Sequence, residues 1–392
     1  MTARHLTFAL TVAATLGAST ASCTHPDAEA RTPGDTLYIG VAAARGNSAY
    51  FRGVELAISH LNAQRPAGAH PIAMRPPADS QPSQVAVAAA FRDDPEVVGV
   101  VGHTGSAQTM DAAPIYSDLA NDGKNGIIAI TPTATNPKVT LVGDWVFRVC
   151  PTDDDEATAL ARFAIDSVRA HRVAIIYRND LFGRGFTRTI VPQLERGGIT
   201  VVERDPYLVG ITEYDAYAAR IARSDADAIV FAGGGSDAAD MIRALRRFGA
   251  QLTVLGSDDV AAIATDAARL PSVPSKNARS KPITPTEEFR DVRFSAFYDP
   301  SLARTTEERA FVDEYRRRFG ETPAHQAALA YDAATLIGHA TFAVAGDRRR
   351  IRDWVASIGR TAPSHRGITG EIRFDANGDA VGKPVLIGRI AP

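Results

Sequence analysis

Short, apolar, β-branched runs alternate with longer amphipathic segments along this chain, and that alternation limits the possible folds more than any other feature. Val97–Val101 and Ile127–Ile130 are two such runs, and a second series begins at Val173–Tyr177. Uninterrupted apolar runs of this length are typical of parallel strands buried on both faces. Strands that alternate with helices form parallel sheets covered by helices. Two series therefore predict an α/β protein with two sheets.

Length and charge narrow the class of protein. A chain of 392 residues is too long for one ordinary core, so two domains are expected. The formal charge of −2 and the lack of a basic run give no electrostatic basis for binding nucleic acid. The Pro- and Ser-rich stretch from 270 to 289 is typical of a surface excursion between elements.

The amino terminus predicts export. Arg4 and His5 precede an apolar stretch, Leu6–Ala18, that is too short to span a bilayer and ends in small residues. We therefore expect residues 1–22 to be a secretory signal peptide. The protein would then act outside the cytoplasmic membrane, in the periplasm or at the cell surface.

Cys23 follows Thr20-Ala21-Ser22, which resembles the site cleaved before a lipid-modified cysteine, although Thr20 departs from the usual aliphatic residue. We expect lipidation of Cys23, with residues 23–35 as a flexible tether to the membrane. Ordinary secretion, with cleavage near residues 28–30, is the alternative. The other cysteine, Cys150, would then have no disulfide partner, and we expect it to be a buried small hydrophobe.

Motifs for catalysis are lacking. The nine histidines are scattered and no CxxC pair occurs, so neither a metal site nor a cofactor is expected. Neither a nucleophile elbow nor a phosphate-binding loop is present. Gly233–Gly235 is interpreted as a tight turn, Asp153–Asp155 as a helix start, and His103 as a structural histidine. The sequence does not predict an enzyme.

Polar segments follow two of the predicted strands of the first series. Ser106 begins a predicted helix directly after Val97–Val101 and its polar turn, and Thr133–Thr135 follow Ile127–Ile130. Ligands of α/β sheets bind beyond the carboxyl ends of the strands. A helix N-terminus offers unpaired N–H donors and favours negative charge, so a ligand carboxylate could bind there.

The same segments carry a family resemblance. The chain resembles the leucine/isoleucine/valine-binding group of type I periplasmic binding proteins, which serve ABC importers. The segments that carry the resemblance recur in that family in the same order, and they are Gly102–Tyr116, Ile130–Pro137, Phe311–Tyr315, Ala330–Ala333, Gly367–Gly370 and Phe374–Asp379. The resemblance implies two Rossmann-like lobes with parallel central sheets, joined by a three-segment hinge. Lobe 1 would comprise residues 36–150 and 299–366, and lobe 2 residues 151–298 and 367–392.

The resemblance also implies ligand-binding residues in lobe 1. Ser106, through its hydroxyl and N–H, and the N–H of Thr135 would hold a carboxylate. The Thr135 hydroxyl and the Thr133 carbonyl would accept from an ammonium group, and Ala134 lies between them in the same loop. Taken singly, Ser106 could be a plain helix cap and Thr135 a turn hydroxyl.

In lobe 2 the resemblance places an acid for the ammonium at Asp258, or at Asp259 if the match slips by one residue. Phe182 falls where an aromatic ring closes over the ligand. Gly234 departs from the pattern, since amino-acid binders usually carry an aromatic residue there. Arg45 lies in the loop after the first strand, where it could meet an anionic group or remain a solvated charge.

The resemblance therefore implies a substrate-binding protein of an ABC importer that captures an amino acid or a related small solute by domain closure. Its partners would be the permease subunits and, through the lipid anchor, the membrane. An extracellular sensor domain that acts with a signalling partner is the alternative, and a ligand-free scaffold in the cell envelope is a third. Because Gly234 opens the cleft and Arg45 adds charge, we expect a ligand bulkier than leucine or one with an additional acceptor group.

Overall fold

The computed structural model describes residues 35–44, 48–78, 83–211, 213–266 and 288–390. The predictions for residues 1–22, for Cys23 and for Arg45 concern positions outside these ranges, as does most of the Pro- and Ser-rich stretch. Among the described residues no single helix is both long and apolar enough to cross a membrane.

The first part of the chain forms an entirely parallel five-stranded sheet in the order β2-β1-β3-β4-β5. The alternation continues through helices that cover this sheet. In chain order the elements are β1 (Leu37–Ala42), α1 (Ser48–Ala63), β2 (Ile72–Arg75), α2 (Gln84–Asp93), β3 (Val97–Gly102), α3 (Ser106–Tyr116), β4 (Ala129–Thr131) and β5 (Val146–Arg148).

The chain then enters a second sheet with its own set of helices. In chain order the elements are α4 (Asp153–Phe163), β6 (Arg172–Arg178), α5 (Leu181–Arg196), β7 (Thr200–Tyr207), α6 (Asp215–Arg223), β8 (Ala228–Ala232), α7 (Gly235–Arg247), β9 (Thr253–Gly256), α8 (Ala261–Asp266) and β10 (Val292–Ala296). Strands β6 to β10 pair in parallel, in the order β10-β9-β8-β6-β7. The predicted α/β class with two parallel sheets is confirmed.

After β10 the chain returns to the first lobe as three helices: α9 (Thr306–Phe319), α10 (His325–Ala343) and α11 (Arg348–Ser357). Helix α10 packs directly on α1, and a Cβ atom added to Gly53 would lie 2.2 Å from the Ala327 carbonyl oxygen. Leu329 and Ile337 of α10 belong to the core under β1 and β3. The first lobe is therefore built from two distant stretches of sequence.

The last segment, which the resemblance assigns to lobe 2 from residue 367 onward, contacts both lobes. The hairpin of β11 (His365–Gly367) and β12 (Gly370–Ile372) leads into the first lobe, because Ile372 and Phe374 lie in its core. Only β13 (Leu386–Arg389) joins the second sheet, antiparallel to β10. The apolar side chains of Ile372 and Phe374 hold the first part of this segment against the first lobe, whereas β13 extends the second sheet.

The hairpin is tied to α10 by a buried carboxylate. Asp332 accepts hydrogen bonds from the N–H groups of Ile368 and Thr369, at 2.7 and 2.9 Å. The ammonium group of Lys383 donates to the Thr369 carbonyl and hydroxyl oxygens, at 2.8 and 2.6 Å. Charge-assisted hydrogen bonds are about twice as strong as neutral ones. This network therefore holds the hairpin and Lys383 against α10.

Candidate functional site

The carboxyl ends of β3 and β4 meet at the face of the first lobe that looks toward the second. Ser106 is the first residue of α3 and is buried. Its hydroxyl oxygen accepts from the N–H of Asn136, at 3.2 Å. The two predicted polar segments are therefore adjacent, at the N-terminus of a helix.

Arg148 holds the segment that follows β4. This arginine is completely buried, and its Nη1 donates to the carbonyl oxygens of Thr135 and Asn136, at 2.9 and 2.8 Å, with a longer contact of 3.3 Å to that of Ala134. Asp379 neutralises the guanidinium through a salt bridge of 2.7 Å. The planar guanidinium presents five donors in a fixed arrangement, so it determines the shape of the loop 134–136.

A tyrosine that the sequence did not single out also lies in this cleft. The Tyr50 hydroxyl, from α1, is 2.6 Å from the hydroxyl of Thr133, which donates to the Thr104 carbonyl at 2.7 Å. Burial raises the pKa of Tyr50, and Asp259 and Asp258 raise it further, so the second lobe is close by. Tyr50 continues the apolar pattern of α1, which is why no separate signal marks it in the sequence.

Of the two adjacent acids in the second lobe, Asp258 reaches the first lobe. Its carboxylate oxygen Oδ2 lies 3.9 Å from Nε2 of His325, the first residue of α10. Asp259 instead pairs with Arg178, at 3.5 Å. Burial raises the pKa of Asp258 well above its usual range, and the neighbouring carboxyl of Glu156 raises it further.

His325 is a further residue of the cleft that sequence reasoning missed. Its ring is almost fully buried, and Nε2 has no hydrogen-bond partner among the residues that the structure describes. Burial lowers the pKa of His325 to about 4, so the ring is neutral at pH 7. It therefore stands opposite Asp258 as a neutral polar group.

Phe182 and Gly234 are found beside Arg178. Phe182 is buried in the core of the second lobe, where it packs near Phe186. Gly234 precedes α7, and a Cβ atom there would lie 3.7 Å from Nη1 of Arg178. The Asp237 carboxylate is nearer still, at 3.4 Å, so the space next to Gly234 is bordered by a carboxylate and a guanidinium group, which the sequence analysis did not anticipate.

Three residues were assigned structural roles from the sequence, and the geometry agrees. His103 is buried, with its ring nitrogens 2.7 Å from Gln84 Oε1 and 2.8 Å from the Tyr116 hydroxyl. Cys150 is fully buried. Asp153 starts α4 after a capping box at Thr152. Within the described ranges, no three His, Cys, Asp or Glu side chains come together as metal ligands.

The family follows from sequence and fold together. The sequence profile of the periplasmic binding protein family matches residues 40–391. The chain therefore belongs to this family, and its resemblance to the type I members is confirmed.

Two relatives are identical to the chain at 30% of the aligned residues. An "Amino acid binding protein" of Pseudomonas aeruginosa is 30% identical over 214 residues, which cover 54% of this chain and 56% of the relative. A "Leu/Ile/Val/Thr-binding protein" of Salmonella typhimurium is also 30% identical, over 54% of this chain and 57% of its own length. The chain thus aligns with little more than half the length of these relatives.

Solved structures show the same fold. A branched-chain amino acid transporter substrate-binding protein from Streptococcus pneumoniae, in complex with isoleucine, matches with a TM-score of 0.73 and 22% identity, over 90% of this chain and 95% of that one. A solute-binding protein of an ABC transporter from R. palustris, in complex with benzoate, matches with a TM-score of 0.75 and 17% identity, over 91% and 94%. At these identities the likeness concerns the fold.

Replacing Arg148 by lysine should destabilise the protein by about 3 kcal/mol, because a single ammonium group cannot serve the loop carbonyls and Asp379 together. Arg352→Lys is the matched control, since Arg352 pairs with the exposed Asp144 and should lose less than about 1 kcal/mol. Urea unfolding of both variants measures the difference. Equal losses in the two variants would contradict the role assigned to Arg148.

Proposed function

We propose that this protein is the extracytoplasmic substrate-binding protein of an ABC importer and that it captures an amino acid or an amino-acid-like solute between its lobes. One observation supports the proposal best: the buried Asp258 forms no salt bridge with lysine or arginine among the described residues, and it lies 3.9 Å from His325 of the lobe that carries Ser106. Family membership and the names of the two relatives support it. Permease subunits would be the partners.

The first lobe would take the carboxylate end of the solute. Ser106 and Thr135 are buried at the start of α3 and in the adjacent loop, where N–H and hydroxyl donors favour an anion. Ala134 and Thr133 would complete this side, with the Thr133 carbonyl and the Thr135 hydroxyl as acceptors for the ammonium group.

The second lobe would take the ammonium end. Among the described residues Asp258 forms no salt bridge with lysine or arginine, and it lies opposite the neutral His325. A buried carboxylate without a cation is costly, so a ligand ammonium group is the natural partner. This favours an amino acid over a plain carboxylate such as the benzoate bound by the R. palustris protein.

The remaining groups bear on specificity. Gly234 contributes no side chain, and the groups just beyond it are the Asp237 carboxylate and Arg178, which is held by Asp180 and Asp259. A guanidinium group in this place would donate to an extra acceptor on the ligand, with Arg45 as a second candidate and Phe182 as an apolar neighbour. We therefore propose a ligand that is larger than leucine or that carries another acceptor group.

Capture requires motion but no covalent step. Two lobes that close around a solute act as a hinge, and the ligand shifts the equilibrium toward the closed state. For localisation, we propose a lipid anchor at Cys23, with residues 23–35 as the tether that leaves the lobes free beside the permease.

A thermal-shift screen tests the function. Ligands that bind only the folded state raise its apparent stability by mass action, so at least one L-amino acid should raise the Tm. Larger and acidic amino acids should exceed leucine, isoleucine and valine, while benzoate should have no effect. The absence of any shift across all twenty amino acids would refute the proposal, and a preference for leucine would refute the specificity argument.

The substitutions Ser106→Ala and Thr135→Ala should each weaken amino-acid binding by about 1–3 kcal/mol, because each leaves a buried ligand charge short of a hydrogen bond. Thr341→Ala is the control, since it removes a buried hydroxyl from α10 outside the cleft. Calorimetry with the best amino acid from the screen measures the effect. Unchanged affinity in both cleft variants would remove these residues from the site.

The lipid anchor is tested on protein expressed in its native type of host. If Cys23 is acylated, the mature protein should partition with membranes and begin at this cysteine, whereas Cys23→Ser should be released in soluble form. Mass spectrometry identifies the first residue and any lipid. A mature protein that begins elsewhere and carries no lipid would refute the anchor.

A further inference from the structure

Three buried carboxyl groups face one another in the second lobe. Asp153 and Glu156 lie one turn apart in α4, on the same face of the helix. Asp258 follows the end of β9, and all three are at most 4% exposed. Asp258 was implicated in ligand binding above and Asp153 begins α4, so Glu156 is the carboxyl group that needs an explanation.

Glu156 is bound to the backbone of Asp258. Its Oε1 accepts from the Asp258 N–H, at 2.7 Å, and from the hydroxyl of Ser295 in β10. Its Oε2 is buried with no hydrogen-bond partner in the part of the chain that the structure describes. Glu156 therefore fixes the turn that presents Asp258, and one of its oxygens remains unsatisfied.

The arginine side chains near Glu156 and Asp258 form salt bridges with other acids. Arg178 pairs with Asp180 and Asp259, and Arg148 pairs with Asp379. His325 faces Asp258 from α10, and the burial that lowers its pKa to about 4 keeps it neutral. Among the described residues, the titratable groups that act on Asp258 or Glu156 from the surrounding elements are Tyr50, Cys150, Asp153, Asp259 and His325.

Ionisation of both carboxyl groups is unfavourable, because both are buried and their charges would repel each other. Burial raises the pKa of Glu156 to about 8, and repulsion from other acids contributes. Burial and the Glu156 charge raise the pKa of Asp258 as well. Two interacting acids in one site titrate as a pair, and this pair keeps a proton when no cation is present.

We propose that Glu156 is a positioning residue for the ligand's ammonium group, and that the pair of Glu156 and Asp258 holds one proton that this group displaces on binding. The inference rests on the proposed capture of an amino acid. In the exchange one carboxyl O–H bond is broken, its proton passes to solvent, and the resulting carboxylate pairs with the intact ammonium group. His325 closes the site from the other lobe without adding a competing positive charge.

The sign of the pH effect follows. The free protein holds one proton more than the complex, so affinity increases as the pH rises through the range in which the free pair is protonated. The dissociation constant should fall by up to tenfold for each pH unit. In Glu156→Gln the amide still accepts from the Asp258 N–H, but Asp258 no longer has this acidic neighbour and ionises at lower pH, so the slope should flatten.

Calorimetric titration with L-leucine between pH 5.5 and 7.5, in buffers of different ionisation enthalpy, counts the protons released. The wild type should release nearly one proton for each leucine bound, and Glu156→Gln less than about a third of one. Glu288→Gln is the matched control, because Glu288 is equally buried but pairs with Arg243 away from the cleft; its proton release should equal that of the wild type. Leucine binding without proton release in the wild type, or equal release in Glu156→Gln, would overturn the inference and leave the proposed function intact.

A titration without ligand separates the two proposals. In the ligand-free protein with ¹³C-labelled carboxyl groups, the Glu156 resonance, assigned by its loss in Glu156→Gln and its presence in Glu288→Gln, should have a midpoint above pH 6. The resonance of Asp153, whose pKa burial raises to about 7, remains in both variants. If the Glu156 carboxyl titrates near its usual value, the inference is wrong whether or not leucine binds. Failure of every amino acid to bind, with the raised midpoint present, would count against the proposed function alone.

Discussion

The buried guanidinium of Arg148 is the interaction on which the cleft of the first lobe depends. Its donors reach successive carbonyl groups of the loop 134–136, and Asp379 supplies the opposite charge. A buried cation without such partners would be costly, so the loop keeps its shape only while both sets of contacts are present. The first residue of α3 is then hydrogen-bonded to this loop, because the Asn136 N–H donates to the Ser106 hydroxyl oxygen.

The two walls of the cleft have opposite electrostatic character. The first lobe presents hydroxyl groups and a helix N-terminus, which suit negative charge. The second lobe presents Glu156 and Asp258, whose charges repel each other and are poorly solvated. A zwitterion complements both walls, with its carboxylate at the first lobe and its ammonium group at the second. The ammonium group would relieve the repulsion between the two acids, which the ligand-free lobe would otherwise avoid by retaining a proton.

The strands could be predicted because each is an unbroken apolar run, as in Val97–Val101, and Ser106 because it follows such a run directly. Tyr50 and His325 could not, since each lies on the buried face of a helix and looks like a core residue in the sequence. The choice between Asp258 and Asp259 depends on the direction of a single turn. The burial of Ile372 and Phe374 in the core of the first lobe, beyond the boundary predicted at residue 367, becomes apparent only in three dimensions.

Arg148 and Asp379 are separated by 231 residues. Contacts of such long sequence separation form late, since the chain between them must first be ordered. The pair can therefore hold the loop 134–136 only when the chain around residue 379 has folded onto the first lobe. A change near Asp379 would act on the cleft from far away in the sequence, because it would release the guanidinium that shapes the loop.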